Sequence, residues 1–323
     1  MTTRVGWLTG ALLLAVVVLV VTHVAEEHEL ARLFREAQPV WLLAAGALQA
    51  LTYVCAAAVW QRALAHRGIA VRLRPLVPLG LAKLFTDQVV PSAGMSGTLL
   101  VVRGLERRGV SRTAAVAAML TGLVAFYLGY LLATLASVGI LWRHGELRLV
   151  ILLPAAALGL LAIGLPLAML ALRRQAARLP LRRLERWPGA RDVAAALRDA
   201  PPGSFFAPRL LAETTLLQLS IFLLDALTLA VTLRALARPV HFTLVFASFV
   251  MASVVSTLSW VPGGLGTFEG SCVALLHLHG VSVETALAAT LLLRGLTFWL
   301  PMIPGFALAR REGRSTPSGF AQG

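Results

Sequence analysis

The sequence predicts an all-α polytopic membrane protein, with about six transmembrane helices and two re-entrant helical hairpins arranged as inverted repeats. Three observations predict it. Of 323 residues, 58% are hydrophobic and only 14% charged, and mean hydropathy is +0.80. Several apolar runs reach the roughly 20 residues needed to cross about 30 Å of hydrocarbon. Arginines collect in alternate loops, and one block of sequence returns, altered, 171 residues later.

The net charge of +14 does not indicate nucleic acid, because the basic residues lie between apolar runs rather than on one folded face. Membrane topology accounts for them. Every basic residue except Lys83 is arginine. Cys55 and Cys272 fall in apolar segments with no CxxC spacing, so neither a disulfide framework nor a thiolate metal site is expected.

The apolar segments are 5–24, 39–60, 75–102, 113–142, 149–172, 209–233, 242–278 and 285–309. The first has Arg4 in front of it and no convincing small-x-small cleavage site before Glu26, so it is expected to be a retained span rather than a signal peptide. The third and seventh are interrupted. VPSAGMSG, Val90 to Gly97, breaks one, and WVPGGLGTFEG, Trp260 to Gly270, breaks the other.

Cytoplasmic loops carry the excess of arginine. Arg62, Arg67, Arg72 and Arg74 precede segment three, and Arg103, Arg107, Arg108 and Arg112 follow it. That segment therefore enters and leaves on one side, as a pair of half-helices meeting near Pro91. The count stays consistent through the arginine-rich loop 173–208 and Arg310, Arg311 and Arg314 only if segment seven is also re-entrant, from the opposite side. Both termini are then cytoplasmic. Residues 1–310 read as one integral membrane domain, with hairpins at 75–102 and 242–278, and 311–323 as a short tail. The 173–208 loop mixes arginines with leucines and Trp187, in the manner of an interfacial segment against anionic headgroups.

The repeat lays VPSAGMSG on VPGGLGTF and RGVSRTAAVAAML on HGVSVETALAATL. Pro91 pairs with Pro262, Gly109 with Gly280 and Ser111 with Ser282. Three full spans separate the hairpins, an odd number, so the copies are inverted. Secondary transporters use this architecture around a substrate site near the midplane.

Irregular backbone at membrane depth survives only inside protein or beside a water-filled cavity. At the first tip Pro91, Gly94 and Gly97 supply the break. At the second, Pro262, Gly263, Gly264 and Gly266 permit a tight turn, with Thr267 as the expected N-cap of a half-helix starting at Phe268. Such a half-helix points free N–H groups and a positive dipole end at the cavity, a setting for anionic oxygens. Ionisable residues at this depth mark candidate sites. Lys83 and Asp87 lie four apart on one helical face. Arg294 sits mid-depth in the last span, and Glu269 is the nearest acid in sequence that could lie at similar depth to pair with it. Segment 209–233 adds Asp225 in a polar stripe with Thr214, Gln218, Thr228 and Thr232, and Glu213 beside it near the cytoplasmic end.

Other chemistries lack their parts. Gly94-Met95-Ser96-Gly97 matches a short serine-nucleophile pattern, but the histidines, at 23, 28, 66, 144, 241, 277 and 279, lie in loops or near segment ends. His277 and His279 have no neighbouring carboxylate or thiolate in sequence, so a metal site is not expected. There is no GxxxxGK[ST] and no aspartate-rich motif for polyprenyl transfer. The expectation is a non-enzyme without a cofactor.

VPGGLGTFEG followed by HGVSVETALAATLLLRGLTFWLP resembles the C-terminal signature of the lysylphosphatidylglycerol synthase transmembrane region family, and VVPSAGMSGTLLVVRGLERRGVS resembles that family's earlier hairpin. The family includes the flippase half of the multiple peptide resistance factor and standalone bacterial and archaeal relatives, some associated with hopanoid genes. The resemblance implies lipid translocation, with Asp87, Glu269 and Arg294 at corresponding motif positions and Glu213 less securely so. Because the chain ends shortly after Arg314 with no aminoacyltransferase domain, lysylphosphatidylglycerol synthesis is not expected. The implied partners are the membrane and an anionic or aminoacylated phospholipid, or an isoprenoid or hopanoid lipid. A separate lipid-synthesis enzyme and a second copy of the chain are further candidates. An ion-coupled small-solute transporter, a scaffold for an envelope-lipid enzyme and an intramembrane serine hydrolase are the alternatives. Without an ATPase site, transport would run downhill or on an ion gradient, with an intramembrane acid as the coupling group.

Overall fold

The computed structural model describes residues 35–89, 95–176, 207–259 and 261–314. The expected first span at 5–24, the tip residues Pro91 and Gly94, most of the 173–208 loop and the tail from 315 lie outside these residues. The described chain is helical throughout, in the order α1 (Pro39–Ala65), α2 (Leu76–Val89), α3 (Met95–Glu106), α4 (Arg112–Arg143), α5 (Leu149–Ala176), α6 (Pro208–Ala235), α7 (Phe242–Leu258), α8 (Thr267–Leu278), α9 (Val283–Arg294) and α10 (Leu300–Arg314). A short 3-10 turn, Pro262–Gly264, precedes α8, and a π-helical turn, Gly295–Trp299, joins α9 to α10.

Five helical stretches are long and apolar enough to cross a membrane: Pro39–Ala65, Arg112–Arg143, Leu149–Leu172, Pro208–Ala235 and Val283–Glu312. They coincide with five of the expected spans. The protein is a multi-pass membrane protein. On α5, Leu149, Leu153, Leu160, Ile163 and Leu167 are all exposed, as expected of side chains whose solvent is hydrocarbon.

The two interrupted segments each form a pair of half-length helices. At 1.5 Å per residue, α2 and α3 span about 21 and 18 Å, and α7 and α8 about 26 and 18 Å. Gly104 in the last turn of α3 lies so close to Leu79, near the start of α2, that an added Cβ would come within 2.5 Å of that side chain. Just past α8, His279 Nδ1 lies 3.1 Å from Ser248 Oγ in the second turn of α7. In both pairs the second helix thus returns to the end where the first began.

The repeat extends well beyond the motifs that reveal it. A shift of 171 carries α4, Arg112–Arg143, onto the whole of Val283–Arg314, and α1 onto α6 within two residues. Ser111 and Ser282 both cap their helices, accepting from Ala114 N and Thr285 N. Gly109 and Gly280 share φ of +82° and +83°, the left-handed conformation glycine adopts without strain. Val110 N donates to Leu105 O and Val281 N to Leu276 O, both at 3.1 Å. Ala115, Ala117 and Ala118 match Ala286, Ala288 and Ala289, and all six are fully buried. Small side chains let helix backbones approach, the usual way to associate where lipid removes the hydrophobic drive between helices. α5 stands between the two copies.

Packing follows the same duplication. One core joins α1, α2, α3 and the first half of α4 through Trp60, Leu64, Leu79, Val101 and Leu105. The other joins the rest of α4 to α6, α7, α8 and α9 through Tyr130, Phe222, Leu229, Met251 and Leu293.

His279 is a structural surprise. The acid nearest it in sequence is Glu284, yet Nε2 is 2.6 Å from Glu146 Oε2 in the α4–α5 loop, and the imidazole is only 1% exposed. No group of three or more His, Cys, Asp or Glu suited to a metal occurs among the described residues. Its two contacts fasten the α8 end to α7 and the α4–α5 loop. His279→Ala is expected to lower stability by about 1–3 kcal/mol, since buried Ser248 and partly buried Glu146 lose their partner together. The unfolding midpoint of the purified protein measures it.

Candidate functional site

The candidate site lies at the hairpin tips. In α7 to α8 the chain reverses through Gly263, Gly264 and Gly266, at φ of +67°, +62° and +81°. An added Cβ would lie 2.9 Å from the Phe298 ring at Gly263 and 1.7 Å from Ser256 Oγ at Gly264. These positions take glycine for conformation and for space.

The reversal delivers Gly266 N to Glu269 Oε2 at 2.6 Å. Glu269, 5% exposed, thereby caps the helix on which it stands. This corrects the expectation for Thr267, which is the first helical residue and not the cap. Its hydroxyl donates to Gly264 O and lies 3.0 Å from Ser259 Oγ, bracing the turn. The positive φ of Gly266 brings its free N–H within reach of the carboxylate three residues ahead.

The second oxygen of Glu269 accepts from Arg294 Nε at 2.6 Å, the pairing that sequence had left as a candidate. Arg294 Nη2 donates to Gly263 O at 2.8 Å. Its guanidinium lies 4.8 Å from the centre of the Phe268 ring and 5.2 Å from that of Phe298, both within cation–π range. One residue thus ties the last span to the carboxylate, the turn carbonyl and two rings. The π-helical turn begins directly after it. Leu300 N donates to Gly295 O, five residues back, and Pro301 has no N–H to give the carbonyl at Thr297. That irregularity places Thr297 and Phe298 at the cavity.

The first hairpin repeats the chemistry with different residues. Lys83 Nζ and Asp87 Oδ2 are 2.5 Å apart, and Asp87 Oδ1 accepts from Gly97 N, in the first turn of α3, at 2.9 Å. A Cβ on Gly97 would fall 2.3 Å from Asp87 Oδ1, so glycine is what admits the carboxylate. In both hairpins a buried or partly buried acid occupies the N-terminus of the second half-helix and binds one cation. Asp87 reaches across from α2, whereas Glu269 reaches back along α8. The shift of 171 places Leu258 opposite Asp87 and Thr98 opposite Glu269.

Between the hairpins lies a cavity of about 230 Å³ lined by Gln88, Asp225, Ser253, Ser256, Thr257, Arg294 and Thr297, with Phe249, Phe268, Leu293 and Phe298 as its apolar wall. Asp225 is half-buried, and Gln49 Nε2 donates to its Oδ1 at 2.8 Å and to Thr228 Oγ1 at 3.1 Å. Thr214, Thr228 and Thr232 of the same stripe are fully buried and bond back to carbonyls of their own helix.

Asp225 and Arg294 therefore share one cavity, with Glu269 bound to the arginine, while Lys83 and Asp87 form the companion cluster at the first tip. Glu213 is not brought to them. It lies twelve residues before Asp225 on α6, paired with Arg209 at 3.0 Å and Arg62 at 3.9 Å near the helix start. Ser96 Oγ donates to Thr86 O at 3.4 Å. Sequence reasoning missed Gln49, Gln88 and the α7 hydroxyls. The spacing of Ser253, Ser256 and Thr257 puts them on one face of an otherwise apolar helix, which was the available signal.

The model of the family described as "Lysylphosphatidylglycerol synthase TM region" matches residues 7–305. Among curated proteins, a "UPF0104 membrane protein" of Methanothermobacter thermautotrophicus (strain Delta H) is 25% identical over 95 residues, covering 29% of this chain and 28% of the relative.

Proposed function

The chain belongs to the lysylphosphatidylglycerol synthase TM region family, and on that premise we propose that it moves a lipid between the leaflets of the cytoplasmic membrane, without catalysing a chemical conversion. The observation that carries this is that an acid–cation pair stands at each half-helix N-terminus, built from different residues in the two copies. A helix N-terminus beside a guanidinium or ammonium suits a phosphate, and here Glu269 and Asp87 supply the anionic oxygens. A phosphate headgroup would take over Arg294 and Gly266 N as Glu269 withdraws, and Lys83 and Gly97 N as Asp87 withdraws. Exchange of one anion for another avoids leaving a buried cation bare, the expensive alternative at this depth.

In this reading the acyl tails stay in the bilayer while the headgroup crosses the cavity between the tips. The hairpins are re-entrant from opposite sides, and the two copies are inverted. Both termini face the cytoplasm, where the arginine-rich loops meet anionic headgroups. An anionic or aminoacylated phospholipid, or another lipid bearing phosphate, is the substrate, delivered by a separate lipid-synthesis enzyme.

The test is translocation in proteoliposomes, using headgroup-labelled phosphatidylglycerol and a membrane-impermeant quencher. Wild type is expected to hasten loss of inner-leaflet signal. Glu269→Gln keeps the shape but weakens both the cap and the pair, and is expected to slow it at least tenfold, the loss of one charge-assisted hydrogen bond. No acceleration by folded wild type, across a panel of lipids and with an imposed proton gradient, would discard the proposal.

A further inference from the structure

The charges around the cavity do not balance. Lys83 is matched by Asp87 and Arg294 by Glu269, each at hydrogen-bonding distance. Among the described residues, Asp225 is left over. Its hydrogen-bond partner among the described residues is the neutral amide of Gln49. An ionised carboxylate held only by neutral donors is costly away from water.

The surrounding groups also leave an acceptor without a donor. Gln88 Oε1 is buried with no hydrogen-bond partner among the described residues and lines the same cavity as Asp225. The last two turns of α7 bring Ser253, Ser256 and Thr257 to it. A helix C-terminus carries the negative end of the dipole, and Pro262 has no N–H for the carbonyl of Leu258. Among the described residues, the other elements near Asp225 contribute no second cation. α1 offers Gln49 and Tyr53, whose buried hydroxyl has no partner among the described residues, α4 offers Tyr130, stacked on Phe222 of α6 at 4.7 Å with its hydroxyl 3.1 Å from Thr257 Oγ1, and α9 offers Arg294, already bound on two sides.

We infer that Asp225 binds a small monovalent cation, a proton or a sodium ion, in exchange with the cavity, with Gln88 and the α7 hydroxyls around it. Oxygen-rich pockets beside an interrupted helix are where secondary transporters hold their coupling ion. The site stands on the cavity alone. Its use as the coupling site rests on the lipid-translocation reading.

The experiment follows the unfolding midpoint of the full-length protein in nanodiscs of uncharged lipid, for wild type and Asp225→Asn. Sodium replaces N-methyl-D-glucamine at constant ionic strength, in one series at neutral pH and in another under mild acidification. A ligand that binds the folded state raises the midpoint saturably, here by roughly 2–8 °C. If sodium does this for wild type and not for Asp225→Asn, the ion is sodium. If sodium has no effect but acidification stabilises wild type in a way the variant lacks, it is a proton. In either case Asp225→Asn, a neutral isostere, should match or exceed wild type in sodium-free buffer at neutral pH. Should the variant keep the wild-type response to both ions, or neither protein respond, the inference is wrong. A response confined to added lipid with an ammonium headgroup would also overturn it, by giving Asp225 to the headgroup. Ser253→Ala serves as a second variant, expected to weaken the sodium response without abolishing it. Because no lipid movement is measured, failure of the translocation assay leaves this result interpretable.

Discussion

Replacing Arg294 with alanine is expected to bring lipid translocation down to the protein-free background. The substitution removes the donor to Glu269, the donor to Gly263 O and the cation between Phe268 and Phe298. It also leaves Glu269, 5% exposed, with a charge that only one backbone N–H answers. Breaking a buried pair from one side destabilises by about 3–5 kcal/mol, so the variant needs a control that separates folding from transport. Glu269→Gln combined with Arg294→Ala provides it. With the carboxylate neutralised, much of the lost stability should return, a coupling that a double-mutant cycle reads directly. Transport should not return, because the phosphate still lacks its cation. Normal translocation by a folded Arg294→Ala protein would remove this residue from the pathway. Arg294→Lys tests geometry rather than charge. An ammonium cannot satisfy Glu269 and the Gly263 carbonyl with one planar fork, and translocation should fall by at least an order of magnitude.

That this arginine would be paired was legible in the sequence, because a cation mid-way along an apolar run needs a partner. So were Lys83 and Asp87, four residues apart on one helical face. The fold was legible for similar reasons. Apolar length marked the five described spans, and proline with clustered glycine marked the two breaks. The 171-residue shift, noticed at the hairpins, extends across four elements of each copy, including α1 and α6. Those two share little sequence because lipid-facing positions ask only for apolarity. What sequence concealed were contacts whose meaning depends on a neighbour distant in the chain. Gln49 is one amide in an apolar run until α6 sets Asp225 against it, 176 residues away. His279 pairs with no carboxylate until the fold brings Glu146 from 133 residues off. Thr267 looked like a cap by residue type, but the helix begins one residue earlier, with Gly266 at the cap position and its N–H taken by the Glu269 carboxylate.

That dependence on glycine makes Gly264→Ala the other large-effect substitution. At φ of +62° an alanine carries a backbone strain of about 1–2 kcal/mol. Its Cβ would also stand 1.7 Å from Ser256 Oγ and 3.0 Å from Ser256 Cβ, and such overpacking adds about 1–3 kcal/mol. Ser256 lines the cavity, and the turn it packs against carries the Gly263 carbonyl that holds Arg294. Relief by moving the turn would therefore loosen the arginine, and relief by moving α7 would reshape the cavity. Translocation is expected to fall about as far as in Arg294→Ala, but for a reason that can be undone in part. Ser256→Gly removes both clashing atoms and leaves the backbone strain, so the double variant should regain the clash component of stability and some transport. If Gly264→Ala alone keeps wild-type stability and rate, the tight reversal at the second tip is not what positions Arg294, and the site must be assembled some other way.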